Sequence, residues 1–122
     1  MGNPFVHVEL NTTDLARAKA FYGKLFDWKL EEAPMADGSS YVLVDVSGGT
    51  GGGMMKHPMP GAPSMWLPYV AVDDLAAATE KARSLGATIA KGVTEIPGIG
   101  WFSVIVDPTG AALALWKPAQ AM

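Results

Sequence analysis

Phe5-Val6-His7-Val8-Glu9-Leu10-Asn11-Thr12-Thr13-Asp14-Leu15-Ala16-Arg17-Ala18 changes period part-way through, and that change decides the fold. Up to Leu10 the residues alternate, with Val6, Val8 and Leu10 on one face of a strand and Phe5, His7 and Glu9 on the other. From Leu15 the spacing becomes helical, because Leu15, Ala18, Tyr22 and Leu25 fall at i, i+3, i+7 and i+10. Thr12 or Thr13 can cap that helix. Gly23 weakens it without ending the pattern.

The same passage recurs sixty residues later. Asp14-Leu15-Ala16 returns as Asp74-Leu75-Ala76, Ala18 as Ala78, Leu25 as Leu85, Val44 and Val46 as Val104 and Val106. In the second copy Asp73 is the expected cap, Leu75, Ala78, Ala82 and Leu85 form the apolar stripe, and Gly86 stops the helix. Three further strands are expected in each copy, over 27–33, 40–47 and 51–57 and over 87–93, 99–106 and 110–117. Ala36-Asp37-Gly38 and Asp107-Pro108-Thr109-Gly110 suit turns. The Gly48–Gly53 run lacks the Lys-Ser/Thr ending and following helix of a phosphate loop, so it reads as a turn entering a strand. The fold class is therefore α+β: two βαβββ modules, residues 1–57 and 65–122, joined by a linker over 58–64. The whole is expected to form a curved mixed-sheet cup with helices on its convex side.

Composition narrows the function. A chain of 122 residues, 49% hydrophobic, can bury the core of a single domain. No apolar run approaches the roughly 20 residues of a membrane span, and the first residues lack the pattern of a secretory signal, so the expected location is cytoplasmic, away from membranes. The absence of cysteine removes disulfides, thiolate metal sites and cysteine nucleophiles. A net charge of −3 with no basic cluster argues against nucleic acid as a partner.

Phe5 to Phe26, Val72-Asp73-Asp74-Leu75 and Asp107-Pro108-Thr109-Gly110, in that order, resemble the vicinal oxygen chelate superfamily of glyoxalases, bleomycin-resistance proteins and extradiol dioxygenases. Trp66-Leu67-Pro68-Tyr69-Val70 followed by Ile96-Pro97-Gly98-Ile99-Gly100-Trp101-Phe102 is most similar to its glyoxalase-like subgroup without an assigned reaction. Members that use metal take ligands from the first and last strand of each module. Carried onto this chain, the resemblance puts those positions at His7, Met54, Leu67 and Ala114. Leucine and alanine have no donor, and a thioether suits soft ions, so no cofactor is expected. The alternative is a divalent metal held by a repaired His7-Glu9-Asp45 set.

By alternation, Tyr41, Leu43 and Asp45 face away from helix-packed valines. Opposite Phe102, Val104 and Val106 lie Trp101, Ser103 and Ile105, turned inward to the cup, Leu113 with Leu115 places Ala112, Ala114 and Trp116 inward, and Leu67 and Tyr69 join from strand five. The expected ligand-binding residues are thus Tyr41, Asp45, Met54, Leu67, Tyr69, Trp101, Ser103, Ala114 and Trp116 around a mostly apolar, aromatic surface. His7 and Glu9 supply a polar end, or a catalytic base and its orienting carboxylate, with the carboxylate expected to raise the imidazole above its usual 6.5. Two function classes compete. One is a protein that binds a small, partly aromatic or apolar molecule without metal, as the resemblance to bleomycin-resistance proteins implies. The other is a lyase, isomerase or dioxygenase-type enzyme with a repaired metal site or metal-independent His7/Glu9 acid–base chemistry. A third reading is a subunit whose partner supplies the chemistry. Homodimers are common in the family, and the strands near Val6 and Trp66 are the expected seam.

Overall fold

A computed structural model describes residues 2–35 and 38–119. The expected turn at Ala36-Asp37-Gly38 therefore lies partly outside the described residues, although Met35 N–H donates to the Ser39 carbonyl across it at 2.8 Å. In chain order the elements are β1 (Phe5–Thr12), α1 (Leu15–Leu25), β2 (Lys29–Pro34), β3 (Ser40–Asp45), β4 (Gly52–Lys56), β5 (Met65–Ala71), α2 (Leu75–Ser84), β6 (Thr88–Ile96), β7 (Gly100–Val106) and β8 (Ala112–Pro118). Both repeats are βαβββ. In the first, β1 pairs parallel with β4, while β4 with β3 and β3 with β2 are antiparallel. In the second, β5 pairs parallel with β8, and β8 with β7 and β7 with β6 are antiparallel.

The compact units do not divide at the linker. One unit is His7–Leu67, and the other joins the residues before His7 to those from Pro68 onward. The Pro4 carbonyl and the Asn3 side-chain amide both bond the backbone of Ala71, which ties the start of β1 to the second of these units.

Both helix caps sit one or two residues later than the sequence suggests. Asp14, not Thr12 or Thr13, caps α1, its carboxylate accepting from Arg17 N–H at 3.1 Å. Thr12 is still strand, buried, and its hydroxyl accepts from Asp14 N–H. Asp74, not Asp73, caps α2 through Ala77 N–H at 3.0 Å. At α1 a carboxylate is a stronger acceptor than a hydroxyl for the free N–H groups of the first turn, and at both helices it carries charge that the N-terminus favours. The two aspartates are the pair that the repeat superposes. Of the expected apolar stripes, Leu25 and Leu85 are exposed.

Each unit has its own core. In the first repeat Leu10, Val42, Val44 and Met54 are buried, with Leu15, Ala18 and Tyr22 of α1 packed on them. Val42 and Val44 do face the helix as expected, so Tyr41, Leu43 and Asp45 face away from it. In the second, Leu75, Ile105 and Leu115 are buried against Ala78 and Ala82 of α2, together with Trp101 and Leu113. Here β7 is turned over relative to expectation. Trp101, Ser103 and Ile105 pack toward α2, and Ser103 hydrogen-bonds Thr79 of that helix at 2.9 Å. The reason is one extra residue. The helices align at an offset of sixty, but Val42–Met54 and Ser103–Leu115 are equivalent cross-strand pairs, an offset of sixty-one. A slip of one residue sends every side chain of a strand to the other face.

Asp107-Pro108-Thr109-Gly110 forms the expected turn. The Asp107 carboxylate accepts from Thr109 N–H, Thr109 Oγ1–H and Ala111 N–H, and Gly110 takes the positive φ of 99° that lets the chain return. The hydroxyl and amide donors hold the Asp107 carboxyl below the usual carboxylate range.

Candidate functional site

The polar face of β1 is built by register. Glu9 lies opposite Gly53 on β4, and Gly53 lies opposite Leu43 on β3. Tyr41, two residues before Leu43, shares that face. With only a hydrogen on Gly53, the Tyr41 ring lies across β4 and its hydroxyl reaches both polar residues of β1. The hydroxyl stands 2.8 Å from His7 Nε2 and 2.8 Å from Glu9 Oε2. His7 and Tyr41 are nearly parallel, at 19°. Glu9 is buried and His7 half-buried, so both rely on such partners.

The bonding order follows from proton count. A phenol has one proton, and Tyr41 donates it to the Glu9 carboxylate. Toward His7 the phenol oxygen can then only accept, so neutral His7 carries its proton on Nε2 and Nδ1 is the ring's acceptor nitrogen. Burial pushes the His7 imidazole below its ordinary 6.5. This reverses the expected rise. Desolvation of the charged form is the cause, and it prevails over the rise expected from a neighbouring carboxylate.

The other expected residues divide by face. Met54 is fully buried under α1, in the Leu10–Val42–Val44 core, and its neighbour Gly53 holds the β4 position opposite Glu9. Trp101 and Ser103 are removed from the expected binding face as well, since both pack toward α2. Tyr69 lies opposite Ala114, with ring centroids 6.2 Å from Trp116 and 6.3 Å from Phe102. Tyr69, Ala114 and Trp116 thus do share a face, and Phe102 takes the place expected for Trp101. Leu67 is buried in β5. Asp45 stays exposed at the end of β3, where it accepts from Ser47 N–H at 2.9 Å. It lies four residues along the strand from Tyr41, roughly 13 Å, and does not join His7 and Glu9.

These residues do not fit a resident divalent metal. Leu67 and Ala114 are hydrocarbon, the β4 position on the polar face is Gly53 rather than Met54, and the Tyr41 hydroxyl covers it. Among the described residues no group of three His, Asp or Glu side chains is placed to hold an ion. Gly53 and Phe102 escaped the sequence reading. The available signal was the Asp14–Asp74 cap pair set against strands displaced by one.

A family model described as the Glyoxalase/Bleomycin resistance protein/Dioxygenase superfamily matches residues 5–115. The chain belongs to that superfamily. It is 36% identical over 115 residues to the Putative glyoxylase CFP32 of Mycobacterium tuberculosis, covering 90% of this chain and 44% of that protein. It is 25% identical over 123 residues to the anthracycline biosynthesis protein DnrV of Streptomyces peucetius, covering 89% of this chain and 45% of that protein. The chain thus spans less than half the length of the curated relatives it matches. Among solved structures, methylmalonyl-CoA epimerase from Mycobacterium tuberculosis superposes with a TM-score of 0.71 at 20% identity, covering 95% of this chain and 88% of that one. The hypothetical protein BH1468 from Bacillus halodurans gives 0.72 at 13% identity, covering 100% and 99%. At such identities the likeness establishes the fold alone. Among the described residues no helix is long and apolar enough to cross a membrane.

Proposed function

We propose that this glyoxalase-like chain binds a small, partly aromatic or apolar molecule, with His7, Tyr41 and Glu9 as its polar anchor and without a resident divalent metal. The observation that carries this reading is the Tyr41 hydroxyl, held 2.8 Å from each of the other two groups on a face that also carries Leu43. A fixed hydrogen-bond set of this kind orients a ligand's polar group, while apolar and aromatic side chains supply contact area. The aromatic cluster of Tyr69, Phe102 and Trp116 supports an aromatic preference in the second repeat. A thermal-shift screen of aromatic alcohols, ketones and quinones tests it, with His7→Ala and Tyr41→Phe as controls. Hits whose stabilisation is halved or lost in both variants support the reading. Equal response of the parent and both variants refutes it.

A second reading has its own support. A neutral imidazole joined through a phenol to a carboxylate is a chain along which protons can pass, and the lowered His7 value keeps the base unprotonated near pH 7. Metal-independent acid–base chemistry on a bound carbonyl compound would follow. Solvent deuterium entering a bound ketone in the parent, and not in His7→Ala, tests that step.

We also propose that the chain pairs with a second copy in the cytoplasm. Trp66, 38% exposed, together with exposed Phe21, Leu25 and Phe26 of the same unit, supports an apolar seam. Light scattering should give twice 12.8 kDa; a mass of 12.8 kDa at micromolar concentration would refute it.

A further inference from the structure

Gly53 occupies a place where no side chain fits. A methyl group there would stand 1.9 Å from the Tyr41 hydroxyl oxygen, 2.2 Å from Cζ and 2.4 Å from Cε2. Such distances are far inside van der Waals contact, so either the ring or β4 must move. The backbone itself makes no such demand, because Gly53 lies in a regular strand and has no positive φ. The three atoms nearest to such a methyl group all belong to the phenol. The second repeat supplies the contrast: Ala114 stands at the place equivalent to Gly53, and Phe102, which has no hydroxyl, stands at the place equivalent to Tyr41.

We infer that Gly53 is a positioning residue: it admits the Tyr41 ring across β4 and thereby fixes the proton order His7 Nε2–H to Tyr41 Oη, Tyr41 Oη–H to Glu9. The functional meaning of this arrangement rests on the ligand-binding reading above, but its geometry does not, and the two can fail separately.

The test is nitrogen NMR of the histidine rings together with thermal unfolding, on the full chain without ligand. The chain has two histidines, so His57 is the internal control, assigned by a His57→Gln variant. In the parent, His7 should show one neutral tautomer, protonated on Nε2, with widely separated nitrogen shifts. Tyr41→Phe and Gly53→Ala should each narrow that separation toward the value of an exchanging imidazole, leaving His57 unmoved. Gly53→Ala should also lower Tm by about 5 °C or more, and in a Tyr41→Ala background the same change should cost almost nothing, since the clashing ring is gone. If Gly53→Ala does not fold alone, Tyr41→Phe and the paired variants still decide the matter. The inference is overturned if Gly53→Ala keeps the parent's His7 spectrum, if Tyr41→Phe leaves His7 unchanged, or if Gly53→Ala costs as much without the Tyr41 ring as with it. A ligand screen that fails while these results hold would refute the binding reading and leave the positioning role intact.

Discussion

At four equivalent places the two repeats carry opposite chemistry. The first has His7, Glu9, Tyr41 and Gly53; the second has Leu67, Tyr69, Phe102 and Ala114, at offsets of sixty in β1 and β5 and sixty-one in the later strands. The backbone pairing is the same in both, parallel between first and last strands and antiparallel between the hairpin strands. Yet one face holds a hydrogen-bonded chain of three groups and the other a packed aromatic cluster. A repeated scaffold therefore fixes where side chains stand without fixing what they do. In the first repeat the absence of one Cβ admits a hydroxyl, and in the second the absence of one hydroxyl leaves a hydrophobic surface.

The largest expected effect concerns the core beneath this contrast. Met54→Ala should destabilise the fold by about 2–5 kcal/mol in chemical denaturation, because a fully buried side chain leaves a cavity under α1. Ligand response per folded molecule should stay unchanged. Altered ligand preference at unchanged stability would put Met54 back on the binding face and break the comparison.

A smaller effect separates the helix-facing serine from a binding role. Ser103→Ala removes the hydroxyl that meets Thr79, and urea unfolding should register a loss of about 1 kcal/mol. Thr79 keeps its bond to the Leu75 carbonyl, which limits the cost. An unchanged stability with weakened ligand binding would contradict the placement of Ser103 toward α2.

The smallest effect is a pH dependence confined to the first repeat. Burial lowers the imidazole of folded His7, whereas an unfolded histidine titrates near 6.5. Between that value and the lower folded one, the unfolded chain binds more protons, so stability falls as pH drops from about 7 through that window and is fully present above it. His7→Gln should flatten the slope measured by thermal unfolding as pH falls from about 7 through the range below 6.5. A slope that survives this substitution would show that some other group carries it.

Much of the fold was legible because it depends on period. The change from alternation to helical spacing at Asp14-Leu15, and its return at Asp74-Leu75, placed the helix of each repeat, and strand and turn signals placed the strands seen among the described residues. Faces were legible only where counting stayed in phase. Val42 and Val44 fell correctly toward α1, while one extra residue before β7 turned Trp101, Ser103 and Ile105 over. Caps slipped because Thr12, Thr13 and Asp73 are all adequate acceptors locally, and the choice among them depends on where the preceding strand ends. At the site, alternation placed His7 and Glu9 on one face of β1 and Tyr41 on the face of β3 turned away from the helix-packed valines. It could not show that Tyr41 bridges the other two, because that depends on the register of β1, β3 and β4 and on Gly53, a residue notable only for what it lacks.

The most direct test is calorimetric titration of chelator-treated protein with the best aromatic ligand from the screen, comparing the parent with Tyr41→Phe. Treatment with chelator should leave the parent's affinity unchanged, and loss of the hydroxyl should weaken binding about tenfold, near 1.4 kcal/mol, within the span of one hydrogen bond in a buried set. Affinity abolished by the chelator, restored by zinc, nickel or manganese, and indifferent to Tyr41→Phe would contradict a metal-free anchor built from His7, Tyr41 and Glu9.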